Sequence, residues 1–393
     1  MELLFITSRF PYPINKGDKL RAYYQIIDLA KNNRIHLISF SDKHVSKSNI
    51  SKLEKYCASI HVYKLGLFKR SFNLLRTFFN NKPFQVNYFY NKTYQKKIDN
   101  LIHKIKPDHI FCQLIRTALY MKNQHYVPST LDYMDALSKG IYRRINISNF
   151  WMKPILRMEY ERLKNFENLA YEFFDNHLII SKADRDEIVH QKNNTIHVIP
   201  NGIDHQFYAK QEIDEKFDLV FIGNLSYVPN IEAANYIANE LVPILTKDYP
   251  NLNVLIAGSD PTYRVKKLAN KHITINGWVK DIRKAYCSGK IFIAPMKIGT
   301  GLQNKLLEAM SLEIPCITSE LANKSLKATP KENILIANST EEFATCIKQC
   351  LQNEELRKKI GEGGREFIMK NYNWEDVNKQ LLNLFQSKQI EHH

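Results

Sequence analysis

Lys305 and Glu308 lie just after two glycines, Gly299 and Gly301, in the stretch Ala294-Pro-Met-Lys-Ile-Gly-Thr-Gly-Leu-Gln-Asn-Lys-Leu-Leu-Glu-Ala-Met-Ser311. An ammonium can neutralise a phosphate, and a carboxylate can accept two sugar hydroxyls. On a helix, Gly301, Lys305 and Glu308 stand at i, i+4 and i+7 and share one face. At ~1.5 Å per residue, Glu308 lies about 10 Å along the axis from Gly301. That spacing suits a diphosphate held at the helix start and a ribose held further along. Leu302, Leu306, Ala309 and Met310 form an apolar stripe that predicts the helix, from Leu302 to Ser311. The apolar run Ile291–Ala294 predicts a buried strand before it. The free N–H groups and the dipole of a helix start both favour an anion, and the two glycines let a ligand approach the backbone. Gly299, Thr300, Gly301, Leu302, Gln303, Asn304, Lys305 and Glu308 are the candidate contacts. A surface helix carrying a solvated Lys and Glu would read the same way.

The elements that would position these residues repeat one pattern. Glu2–Ser8 reads as a strand. Arg9 to Arg21 reads as a loop and a helix opening at Gly17, continuing through Leu20, Tyr24, Ile27 and Leu29, and Arg34–Phe40 as the next strand. This is a βαβ unit. Ser59–Leu65 and Asp108–Gln113 read as further strands, with helical stretches at Ser71–Asn80 and Tyr90–Ile105 that are rich in Phe, Tyr and Lys. Ser129-Thr-Leu-Asp132-Tyr-Met-Asp135 places two carboxylates at the C-terminal end of a strand, where open α/β sheets bind ligands. One of them could instead cap the helix that follows. A helical tract, Phe150–Phe174, and a strand, Asn176–Ser181, close the first half.

In the second half, Phe217–Ile222 is again a strand, followed by a glycine loop, Gly223-Asn-Leu-Ser-Tyr-Val-Pro-Asn230, and a helix to Leu245. Leu252–Ala257 and Ile273–Ile275 read as strands, and Thr340–Phe385 as helical.

With 393 residues the chain has room for two domains, each with its own core. The six cysteines are scattered and complete no metal set, which predicts packing residues in a reducing compartment. The N-terminus reads as a strand and not a signal peptide. No run approaches the roughly 18 apolar residues of a spanning helix. Charge is unevenly placed. Residues 1–200 hold 32 Lys+Arg and 17 Asp+Glu, a net +15, whereas residues 201–393 hold 24 and 23, a net +1. Clusters occur at Lys64/Lys69/Arg70/Arg76, Lys92/Lys96/Lys97/Lys104/Lys106 and Arg143/Arg144/Lys153/Arg157. No nucleic-acid motif accompanies this charge; an anionic membrane face is the alternative, and a generally basic protein the plainest one.

Leu307-Glu-Ala-Met310 followed by Ile314-Pro-Cys-Ile-Thr-Ser319 resembles the donor-binding helix and next strand of glycosyltransferase family 4. So does His197-Val-Ile-Pro-Asn-Gly-Ile-Asp204, which is similar to that family's turn between domains. Gly-x-Gln-Asn-Lys is similar to a subgroup of surface-polysaccharide sugar transferases. The resemblance implies an α/β chain of two Rossmann-like domains facing a central cleft, the GT-B fold. The acceptor domain would span 1–199, with a C-terminal helix at 374–390 crossing back after Asn373-Trp374, and the donor domain 200–373. It implies retaining transfer of a sugar from a nucleotide-sugar to a hydroxyl on a lipid-linked or glycan acceptor, without a metal or other cofactor, in the cytoplasm or at the inner face of the plasma membrane.

Carried over residue by residue, the resemblance assigns Gly17, Asp18 and Arg21 to the first glycine loop. It assigns Asn224, Tyr227 and Asn230 to the second loop, and Trp278 and Val279 to the edge of the base. Asp18, Arg21, Asp135 and Lys305 are the catalytic candidates, with Asp135 preferred to Asp132. Two departures stand out. The family usually carries Glu-x7-Glu, and Thr300 occupies the first position. Its loop Arg and Lys are replaced by Asn224, Tyr227 and Asn230, which leaves Lys305 with more of the phosphate charge. A sugar-nucleotide epimerase and a non-catalytic nucleotide-sugar-binding scaffold are the rival readings.

Overall fold

The computed structural model describes residues 1–66, 77, 80–298 and 301–387. Gly299 and Thr300, most of the helix expected over 71–80, Lys69, Arg70, Arg76 and the last six residues lie outside the described residues. The chain divides into two compact units: Met1–Pro200 together with the chain from Trp374 onward, and Asn201–Asn373.

The first unit is built on strands β1 (Glu2–Thr7), β2 (Arg34–Ser41), β3 (Cys57–Lys64), β4 (His109–Gln113), β5 (Ser129–Asp132), β6 (Asn176–Ile179) and β7 (His197–Val198). They form one sheet in the order β3-β2-β1-β4-β5-β6-β7, every pair parallel. Alternate residues of a strand point to opposite faces, so this sheet has two cores. Leu4, Ile6, Ile38, Phe40, Ile110 and Leu131 pack on one face. Leu3, Phe5, Ile35, Leu37 and Phe111 pack on the other. Burial on both faces is why β1 reads as an unbroken apolar run over Leu3–Ile6. The last helix, Trp374–Ser387, covers the second face: Trp374 stacks on Tyr24 at 5.2 Å, and Phe385 on His109 at 4.2 Å.

The second unit holds β8 (Phe217–Ile222), β9 (Val254–Ala257), β10 (Ile273–Asn276), β11 (Gly289–Ala294), β12 (Cys316–Thr318) and β13 (Leu335–Ile336) in the parallel order β10-β9-β8-β11-β12-β13. Both units are Rossmann-like, the architecture of GT-B proteins. In each sheet the chain runs outward in one direction and then returns to build the other half. The strand order therefore reverses between β1 and β4, and between β8 and β11. The loops beyond the C-terminal ends of those strands are where such sheets leave a crevice.

Several boundaries differ from the sequence reading. The tract expected as helical over 150–174 is one helix, Lys153–Tyr171, a few residues shorter at each end, and a second helix, Leu137–Ile147, precedes it to form a hairpin. The helix after β8 is interrupted by a π-helical turn at Ile237–Leu241, next to Pro243, whose missing N–H disturbs the regular ladder. The C-terminal tract is three helices, Thr340–Gln352, Glu354–Asn371 and Trp374–Ser387. Asn353 restarts the second of them, its side chain accepting from Leu356 N at 2.9 Å.

Candidate functional site

In the second unit the two loops at the strand reversal meet through Lys305. Its ammonium donates to Asn230 Oδ1, lies 3.7 Å from Met296 Sδ, and sits 5.1 Å from the centre of the Phe221 ring at the end of β8. Asn230 is buried, and its Nδ2 donates to Asn224 O at 2.8 Å. Only glycine fits beside it: a Cβ on Gly223 would come within 2.7 Å of Asn230 Nδ2. Gly258 supports the same turn from β9. Its φ is +143°, and a Cβ there would lie 1.7 Å from Gly223 O. The Lys305 ammonium is pushed down to about 7 by desolvation, with Glu308 opposing. Such a cation gains by meeting a phosphate that restores the lost solvation.

The helix that follows spans Asn304–Ser311, two residues shorter at its start than the apolar stripe predicts. Gln303 holds the N-cap position and supplies no side-chain cap. Its Nε2 turns back to Gly301 O at 2.9 Å. The first turn thus presents N–H groups without a side-chain cap, as an anion site needs. Asn304 Oδ1 accepts from Asn201 Nδ2 at 3.3 Å, which ties the 201–204 turn to the helix start. Leu302 packs against the unit's core.

One turn further, Glu308 is half-buried and accepts from Tyr286 Oη at 2.7 Å. Burial raises its pKa, while hydrogen bonds from Tyr286 and Tyr208 hold it back. Tyr208 and Tyr286 escaped the sequence reading. Nothing in their spacing marks them, and only the packed sheet brings them to Glu308. Trp278 is 75% exposed, which rules out a core role, while Val279 packs partly buried beside it. Tyr227 is 53% exposed, and exposed Asn224 folds its side chain onto Ser226.

The first unit corrects one assignment. Arg21, expected at the ligand, is fully buried. Its Nε donates to Asp132 Oδ2 at 2.6 Å, its Nη1 to Pro200 O at 3.0 Å and its Nη2 to Ile199 O at 3.0 Å. The buried face of its helix, with Ala22, Gln25, Ile26 and Leu29, carries it inward, where Asp132 and the carbonyls of Ile199 and Pro200 receive it. It is a tie inside the unit. Asp132 is held by the same bond and by Met134 N at 3.0 Å, which leaves Asp135 as the accessible carboxylate.

Asp135 is open to solvent at the surface yet crowded by protein. Desolvation first, then Asp184, pushes its pKa up to about 7 against the pull of Arg116. It does not cap the next helix. Ala136 occupies the N-cap position without a side-chain bond, and Glu167 accepts from Ser138 N at 2.9 Å instead.

Asp18 pairs with Arg9 at 3.0 Å, and its backbone O accepts from Gln113 Nε2 at 3.0 Å. Gly17 opens the first helix with nothing within 4 Å of where a Cβ would stand. Around this loop lies a cavity of about 720 Å³, lined among others by Arg9, Lys16, Lys19, Lys43, Arg116, Asp42, Tyr12 and Tyr88. It joins the loops after β1 and β2 to the turn after β4. Arg116 was not expected there; Gln85 Oε1 accepts from its Nε and Nη2 at 3.0 and 2.8 Å. Among the described residues, no group of three or more His, Cys, Asp or Glu side chains is placed to hold a metal ion.

This geometry can be set beside known proteins. The fold is that of the GT-B glycosyltransferases, and residues 216–353, most of the second unit, match the family described as glycosyl transferases group 1. Over 96% of this chain and 97% of its own length, an uncharacterised 44.6 kDa protein in the cps region of Klebsiella pneumoniae is 24% identical. An uncharacterised glycosyltransferase of Methanocaldococcus jannaschii is 31% identical over 45% of this chain and 47% of its own length. The structure of HepE from Anabaena in complex with UDP superposes with a TM-score of 0.68 at 16% identity, covering 98% of this chain and 100% of that one.

Proposed function

We propose that this protein is a glycosyltransferase that takes a sugar from a nucleotide-sugar, with retention at the anomeric carbon, and passes it to a hydroxyl in the synthesis of a cell-surface polysaccharide or glycoconjugate. The observation that carries the reading is the meeting of Lys305, Asn230 and an uncapped helix start at the strand reversal of the second unit, with Glu308 one turn on. The diphosphate binds the helix start and the ammonium, the ribose hydroxyls reach Glu308, and Trp278 offers an exposed ring beside the base. As the bond to the sugar breaks, negative charge builds on the diphosphate, and the fixed N–H groups and Lys305 are already aimed at it. The group 1 match in this unit and the Anabaena neighbour, solved with UDP and with UDP-glucose, support a nucleotide-sugar and make uracil the first base to try. The cps-region relative supports a polysaccharide role. The cavity in the first unit supports a second, hydroxyl-bearing substrate. An epimerase would need none. Asp135, with a pKa lifted towards neutrality, is the group proposed to orient or deprotonate that hydroxyl.

Glu308→Gln keeps the shape and removes a charged acceptor. It is expected to weaken uridine nucleotides more than their 2′-deoxy analogues in calorimetric titration; equal losses for both would show that Glu308 does not hold the ribose. Leaving-group stabilisation by Lys305 and backbone N–H groups is metal-independent, so turnover is expected to persist in EDTA. Complete loss that added metal restores would contradict this mechanism.

A further inference from the structure

The tip of the helical hairpin in the first unit carries side chains that neither the fold nor the proposed chemistry uses. Phe150 is 84% exposed and its neighbour Trp151 60%, with Ile155 at 40% on the first turn of the second helix. Their exposure does not come from a loose loop. Ile141 and Ile145 on one helix and Leu156 on the other are buried in the core, and Met152 packs against it from within the turn. Tyr142 and Tyr160 meet across the hairpin at 5.2 Å. Met152 N donates to Asn149 O at 3.0 Å, closing the turn on itself. A well-anchored element thus holds two large aromatic rings out in water.

Along the hairpin's own sequence around its tip the charge has one sign. From Ala136 to Met158 the chain carries Lys139, Arg143, Arg144, Lys153 and Arg157 and no Asp or Glu. Lys139 is spent on Glu187, at 2.7 Å, and Arg143 faces Asp184. Arg144 and Arg157 are exposed and Lys153 half-exposed, on the two helices that flank the tip. Trp and Phe with adjacent Arg and Lys are the side chains that partition into the boundary between acyl chains and headgroups. Anionic lipid supplies the countercharge.

We infer that the 148–157 hairpin tip is a membrane-docking element that inserts Phe150 and Trp151 into the surface of an anionic bilayer while Arg144, Lys153 and Arg157 meet the headgroups. A second copy of the chain fits the patch poorly, because a two-fold interface sets the same face against itself, bringing cations onto cations. No helix among the described residues is long and apolar enough to cross a membrane, so the association is a peripheral one. The inference stands apart from the nucleotide-sugar reading, and the two can fail separately.

The test uses the full chain and sedimentation with vesicles of phosphatidylcholine alone or with phosphatidylglycerol. The wild-type protein is expected to bind the mixed vesicles, to release them as salt rises, and to ignore the neutral ones. Phe150→Ser/Trp151→Ser is expected to lower binding about tenfold or more, and Arg144→Glu/Arg157→Glu to abolish it at moderate salt. Nucleotide-sugar affinity should be unchanged in both variants, which also checks that they are folded. No binding by the wild type, or equal binding by the serine variant, overturns the inference. So does a wild-type dimer that the serine variant dissolves in light scattering without any vesicle binding.

Discussion

Lys305→Ala is expected to weaken nucleotide-sugar binding roughly 10- to 150-fold. A charge-assisted hydrogen bond is worth about 1.5–3 kcal/mol, and about 1.4 kcal/mol corresponds to each decade of affinity. The loss should lie at the upper end because the neighbouring loop offers Asn224, Tyr227 and Asn230 and no second cation to compensate. The pH dependence gives an independent signature. The free ammonium loses its proton near pH 7, and a bound diphosphate favours the charged form. Binding therefore takes up a proton above that pH, and affinity falls as pH rises through 7. A nucleotide-sugar is the right ligand, since its doubly esterified diphosphate does not itself titrate there. Titrations at pH 6 and pH 8.5 should show the fall in the wild type and its disappearance in Lys305→Ala. Stability runs the other way. The unfolded chain keeps this proton up to the ordinary value of 10.5, so the contribution of Lys305 to folding improves as pH rises from about 7 towards 10.5. A variant that binds as tightly as wild type, with the same pH profile, would remove Lys305 from the site.

Asp132→Ala is expected to cost about 3–5 kcal/mol of stability, because it strands a buried guanidinium without its countercharge. Arg21 and Asp132 are both fully buried at 2.6 Å, and Arg21 also satisfies the carbonyls of Ile199 and Pro200. The pair joins the first helix, β5 and the end of the first unit, so its loss should lower the denaturation midpoint of that unit. Arg21→Met/Asp132→Leu should recover much of the loss, since a matched apolar pair leaves no charge unpaired. Where the variants remain folded, nucleotide-sugar affinity should stay at the wild-type level. Denaturant unfolding with parallel calorimetry checks both. Wild-type stability with lost turnover in Arg21→Met would restore Arg21 to the chemistry.

What could be read beforehand divides along physical lines. Strands such as Phe217–Ile222 announced themselves because burial on both faces leaves an apolar run, here Leu219–Ile222. The helix that carries Lys305 and Glu308 was legible because an apolar stripe with a cation and a carboxylate at helical spacing is a local fact. Arg21 was misplaced because its type and its position after a glycine loop suit a ligand equally well. Its true partners, Asp132 and the carbonyls of Ile199 and Pro200, are over a hundred residues away. Tyr286 and Tyr208 at Glu308, and Arg116 in the cavity of the first unit, were invisible for the same reason: only the parallel sheet order makes them neighbours. The helix Lys153–Tyr171 was legible within the tract 150–174 because Leu156 and Leu163 continue an apolar stripe, whereas the helix before it, Leu137–Ile147, was not delimited. The start of Lys153–Tyr171 falls a few residues later than expected, where Pro154 fits the opening turn.

The central claim is that the second unit binds a nucleotide-sugar through Lys305 and the helix start at Asn304. A thermal-unfolding screen over UDP-, GDP-, ADP- and dTDP-sugars tests it most directly. A ligand at 100 times its Kd adds about 2.7 kcal/mol of stability. The account predicts a clear rise in Tm for at least one nucleotide-sugar, UDP-glucose being the first choice, and a much smaller rise at equal concentration in Lys305→Ala. No rise with any of them, or the same rise in the variant, would contradict it.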